Sequence, residues 1–259
     1  MEVLNYLKQI YSGKKAIENH ISLFSIVGIF VISFLKYTAS FGGMLVYDDF
    51  FIAVPSTNKV LGVCLFICIM SLFYLIGYSF KFINQVFFSK ETLLPDFTLA
   101  PFYMFVRYIP IIFYWSMQYF LICLLGWYIL LFVKQISMGY IFAAIMLCII
   151  PFYYMIVVAF SKRIKYESKY FSHLNILKLL NLTFGKVVLL ILQIGIMTTI
   201  PSIILNKVLA LDFPEKYLQL ATTIKLGTFC LSSYIGLILF YVFTMGVVNL
   251  IKSKTADMV

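Results

Sequence analysis

Charge is scarce in this chain of 259 residues: only 12% of it is Asp, Glu, Lys or Arg, the acidic residues number 10, and histidine occurs 2 times. Chemistry built on clustered acids, bases or metal ligands therefore has little material to work with. No GxxxxGK phosphate cradle, GxGxxG dinucleotide turn, HExxH metal helix or Gly-x-Ser-x-Gly nucleophile turn occurs, which excludes the nucleotide, zinc-peptidase and serine-hydrolase classes that rest on those motifs. His20 and His173 stand beside no carboxylate pair. No cofactor and no enzymatic activity are expected. The 5 cysteines, Cys64, Cys68, Cys123, Cys148 and Cys230, all fall in apolar runs. Cys64 and Cys68 share a helical face at i, i+4 without a His or acid beside them, so small apolar thiols are the favoured reading and a soft-metal relay the sharper one.

What the chain has instead is apolar length. With 63% apolar residues, 19% aromatic residues and a mean hydropathy of +1.01, it lies outside the soluble range and reads as an integral membrane protein. Crossing a hydrocarbon core of about 30 Å takes about 20 apolar residues in a helix. Six runs meet that need, near residues 21–35, 60–80, 109–133, 140–160, 187–205 and 229–251. The first is short and is expected to draw on 16–20 or 36–40. The predicted fold is all-α, a single polytopic membrane domain over 1–259 with six transmembrane helices and short interfacial helices.

Basic residues gather on the cytoplasmic side of short loops. With six spans, fourteen of the 20 Lys and Arg fall on the side that holds both termini and six on the other. Both ends are thus predicted to be cytoplasmic, in a bacterial inner membrane. The net charge of +10 then meets anionic headgroups, and no nucleic acid is needed to explain it. No cleavable leader is expected, since residues 1–20 have mixed charge and no central apolar stretch. Val3, Leu4, Leu7, Ile10 and Tyr11 share one helical face with Glu2, Asn5, Lys8 and Gln9 opposite, so 1–15 is predicted as an amphipathic interfacial helix, or one that binds a partner.

Intramembrane polar residues are few, and ion-coupled carriers usually need ionisable groups at depth. Gln118 and Gln193 are the long polar side chains well inside the runs. They are read as interhelical hydrogen-bond partners or as the lining of a substrate path. Ser232 and Gly236 predict a small-xxx-small contact face in the last span. Asp48 and Asp49 form the one adjacent acid pair and read as a solvated turn, too few oxygens for a cation. The basic loop 161–186, led by Lys162, Arg163, Lys165 and Lys169, reads as one or two interfacial helices on anionic lipid, or as a surface for a cytoplasmic protein partner.

Between the second and third runs stands Leu94-Pro95-Asp96-Phe97. The helical pattern through Phe80, Ile83 and Phe87 stops before it, Thr98 is placed to cap a new helix, and Pro101 suits that helix's first turn. Pro95 and Asp96 are accounted for as a helix break. Gly77-Tyr78 near the end of a span, a basic connection, and then Leu94-Pro95-Asp96-Phe97 resemble the pattern of the six-span bacterial and archaeal membrane proteins of domain-of-unknown-function family 4013. That group typically has Trp where Phe97 stands here, followed by a second acid and a helical Gly that are missing from this chain. The resemblance implies architecture alone and carries no functional residue with it. The function expected from the sequence is a non-enzymatic scaffold or accessory subunit that binds a partner or anionic lipid at its cytoplasmic face; the alternative is the membrane component of an ATP-driven transporter whose ATPase is a separate chain.

Overall fold

The computed structural model describes residues 2–13, 15–39, 58–88, 93–110, 173–211 and 217–255, with positions 113, 114, 117 and 121. Apart from short turns and the segment 93–99 these residues are helical, and none of them is in a strand. The helices are α1 (Glu2–Ile10), α2 (Ala16–Ala39), α3 (Asn58–Phe87), α4 (100–110), α5 (His173–Leu209) and α6 (Leu218–Thr255). Four of them, α2, α3, α5 and α6, are long and apolar enough to cross a membrane. They contain the first, second, fifth and sixth predicted spans. Of the other two, the described positions 109, 110, 113, 114, 117 and 121 are helical and the remainder lies outside the described residues, as does all of 140–160.

Local chemistry sets the helix ends. The Ser12 hydroxyl donates to the Gln9 carbonyl at 2.8 Å as α1 closes, and Gly13 takes φ 127°, a backbone that a Cβ would strain. The Gly13 carbonyl then accepts the Ala16 N–H, and α2 starts at once. Chain geometry thus folds α1 back on the bundle. At the far end of α3, Lys252 of α6 donates to the Val86 carbonyl at 2.7 Å, placing a cation on an orphan acceptor where the helix dipole is negative. Thr98 caps α4 as the sequence implies: its Oγ1 accepts the Ala100 N–H at 3.3 Å, with Pro101 in the first turn.

Among the described helices α6 is the central one, touching α1, α2, α3 and α5. Tyr241, Val242, Val247 and Val248 are completely buried, and 56% of its apolar stretch is enclosed, against 11% for α5. A helix apolar on every side belongs in such a place. Tyr241 stacks on Phe82 at 4.5 Å and its hydroxyl shares a hydrogen bond with Ser79. Leu23, Val27 and Val31 form the buried stripe of α2, while Ile21, Ile29 and Ile32 on its other side are exposed, as lipid-facing side chains are.

The structure extends or revises several sequence boundaries. Helix α2 takes in 16–20 and 36–39 on either side of the short first run. Helix α5 begins at His173, so the last part of the basic loop runs unbroken into the span rather than forming a separate interfacial helix. Its 37 residues, like the 38 of α6, reach about 55 Å at about 1.5 Å per residue, well beyond a core of about 30 Å. Helix α1 packs against α6, with Val3 and Ile10 buried, so much of its apolar face is covered by protein instead of headgroups. Leu4 and Tyr11 remain exposed.

Candidate functional site

The helix break at Pro95 and Asp96 is held from two sides. Asn19 of α2 donates its Nδ2 to the Leu94 carbonyl at 2.9 Å and lies 3.4 Å from Asp96 Oδ1. The Tyr78 hydroxyl of α3 donates to the Pro95 carbonyl at 2.8 Å. Both carbonyl bonds are buried, where an unmade one costs about 1–3 kcal/mol. One residue earlier on α3, Gly77 has the α4 backbone directly against it: a Cβ there would sit 1.8 Å from the Pro101 carbonyl oxygen. Phe73 stacks on Phe105 at 4.3 Å and Phe80 on Tyr108 at 4.4 Å, on either side of that crossing. Lys81 Nζ reaches the Thr98 hydroxyl at 3.2 Å. The break is therefore a clasp that joins α2, α3 and α4, and Asp96 acts in it as an acceptor for Asn19.

Gln193 lines a cavity of about 460 Å³ between α1, α5 and α6. Lys186, Asn249 and Tyr6 bring three more polar groups to it, and Leu189, Leu190, Leu250 and Gly246 supply the apolar wall. Gly246 is where α6 approaches α5 closely, since a Cβ there would meet Leu190 Cδ1 at 2.6 Å. Farther along the same interface, a second cavity of about 240 Å³ is lined by Thr198, Pro201, Ser202, Ser232, Ser233 and Gly236, among others. Toward α5, Ser232 and Gly236 thus line a cavity, and no close contact is formed there among the described residues. Among the described residues a Cβ on Gly236 would meet nothing within 4 Å, and the close approach of α5 and α6 lies at Gly246.

His20 was passed over in the sequence for want of a carboxylate, and its partners are tyrosines. Its ring stacks on Tyr11 with centroids 4.2 Å apart, and Nδ1 is hydrogen-bonded to the Tyr234 hydroxyl. Nε2 is buried and has no well-formed hydrogen-bond partner among the described residues. Tyr234 is 214 positions away from His20, so nothing local in the sequence announces the pair.

Gln118 and the basic quartet Lys162, Arg163, Lys165 and Lys169 lie outside the described residues, as do Asp48 and Asp49. Among the described residues no three His, Cys, Asp or Glu side chains are grouped as metal ligands. Comparison with known protein families, with curated proteins and with solved structures finds no match.

Proposed function

We propose that this chain is a non-enzymatic membrane scaffold or accessory subunit, set in a bacterial inner membrane with both termini in the cytoplasm, whose basic end holds anionic lipid or a cytoplasmic partner. The observation that carries the proposal is how the polar side chains of the bundle are used. Asn19, Tyr78 and Lys252 each bond a backbone carbonyl at a helix end or break. Such bonds fix where helices sit; none of them leaves a group poised over a reactant. They also define one end of the bundle, because Lys252 joins the ends of α6 and α3, and Asn19 joins the start of α2 to the segment that follows α3. Lys8, Lys81, Lys186 and Lys252 gather at that end, which suits an anionic cytoplasmic leaflet. Membership of domain-of-unknown-function family 4013 is part of the proposal. Tyr78 and Pro95, two of the residues that carry the resemblance, are bonded to each other.

The second reading, a transporter's membrane component served by a separate ATPase, draws on one specific feature: the two cavities in line along the α5–α6 interface, one lined by Gln193 and the other by hydroxyls. Gentle purification of the tagged chain from its own membranes, with mass spectrometry of everything retained in stoichiometric amount, separates the readings. Retained anionic lipid or a non-ATPase partner is the expected result. A stoichiometric ATPase would replace the scaffold with the transporter, and turnover of lipid by the isolated chain would overturn both.

A further inference from the structure

The geometry points to the 460 Å³ cavity between α1, α5 and α6 as a binding site for the phosphate headgroup of an anionic glycerophospholipid. The inference rests on the lipid arm of the proposed function and gives it a site of its own, distinct from the 161–186 loop.

The lining decides the sign of the ligand. Among the described residues it holds one cation, Lys186, and no carboxylate, while Gln193, Asn249 and Tyr6 add neutral groups that can donate hydrogen bonds. None of these four side chains hydrogen-bonds another described residue. Unengaged donors around a single positive charge suit a phosphate, whose oxygens only accept when it is ionised. The volume lies in the range of about 300–1,000 Å³ typical of small-ligand pockets.

The walls decide in favour of a lipid over a free anion. Leu189, Leu190, Leu250 and Gly246 make half of the lining apolar, which a bare phosphate would have no use for. Leu189, Leu192, Ile196 and Ile200 are exposed at helical spacing, so an apolar stripe leads from the cavity along α5 into the span. Acyl chains have a path there. Lys186 stands one turn inside the start of the apolar stretch 183–209, within reach of the headgroup level for a lysine stem. Tyr6 comes from α1, so a bound headgroup would also fasten the N-terminal helix to the bundle.

The test uses the full chain in phosphatidylcholine nanodiscs doped with a photoactivatable phosphatidylglycerol. Label is expected in peptides containing residues 186–193 and 246–250, and Lys186→Gln is expected to reduce it about fivefold, the usual contribution of one lysine near an anionic surface. Lys186 is exposed and its replacement leaves the fold intact, checked by size-exclusion profile. Lys207→Gln, at the other end of α5, is expected to leave the label unchanged. Gln193→Leu, which removes a donor without touching charge, is expected to reduce it too. Labelling indifferent to Lys186→Gln and Gln193→Leu would overturn the site. Complete displacement by excess glycerol phosphate would reassign it to a soluble phosphate ester. Preference for phosphatidylglycerol with the label elsewhere, as in 161–172, would overturn the cavity and leave the proposed function standing; equal labelling by a photoactivatable phosphatidylcholine would overturn the lipid reading as well.

Discussion

Adding one methyl group at Gly77 tests the clasp at its tightest point. Two effects of Gly77→Ala oppose each other. Alanine in a helix interior is favoured over glycine by about 1 kcal/mol. Against that, the new Cβ would lie 1.8 Å from the Pro101 oxygen, 2.6 Å from its carbonyl carbon and 3.1 Å from the Phe105 nitrogen. All three are backbone atoms, so no rotamer change relieves the clash. Restoring ordinary contact requires α4 to retreat by roughly 2 Å, since non-bonded heavy atoms are comfortable at about 3.5–4.0 Å. Such a shift pulls Phe105 from Phe73 and strains the Tyr78 bond to Pro95. Overpacking of this kind costs about 1–3 kcal/mol and the backbone clash puts it at the upper end, so the net loss is about 2 kcal/mol. At roughly 2–4 °C per kcal/mol for a chain of this size, the melting temperature should fall by about 4–8 °C. The assay is thermal unfolding in mild detergent followed by fluorescence-detected size exclusion. Gly236→Ala is the control, because its Cβ meets nothing within 4 Å among the described residues, which leaves the helix gain of up to about 1 kcal/mol. Equal melting of Gly77→Ala and the wild-type chain would refute the packing of α4 on α3.

Two further perturbations probe the same end of the bundle by the same assay. Asn19→Leu and Tyr78→Phe each strand a buried carbonyl and should cost about 1–3 kcal/mol; because both hold one turn, the double variant should lose less than the two losses combined. Additive losses would show two independent contacts instead of a clasp. Lys252→Met keeps the apolar stem but removes the cap on Val86, for an expected loss of about 1 kcal/mol; no loss would make that bond incidental.

Helical content was legible in the sequence because apolar runs of span length have few alternatives to a helix in lipid. Ends were less so: residues 173–186 belong to α5, because this leucine-rich stretch continues the helix without a break, although its charge reads as loop. The break at Pro95 and Asp96 and the cap at Thr98 were legible since proline and capping residues act locally. Their partners were not. Asn19 is 75 positions away from Leu94, and a contact at that distance leaves no periodic trace. The same holds for the cavity: Gln193 stood out as a polar residue in an apolar run, while Lys186, Asn249 and Tyr6 looked like ordinary residues of helix ends. Ser232 and Gly236 border a cavity on the α5 side, since small residues permit close approach without compelling it.

The functional account depends on which side of the membrane the basic end faces. Cysteines introduced at Ser12, beside the start of α2, and at Ala210, at the opposite end of α5, in a chain with its 5 native cysteines replaced, can be labelled by an impermeant thiol reagent in intact cells and in inverted vesicles. Both positions are exposed. The account requires Ala210→Cys to react from outside the cell and Ser12→Cys only in inverted vesicles. The reverse pattern would put Lys8, Lys81, Lys186 and Lys252 on the outer face, and a cytoplasmic scaffold could not stand.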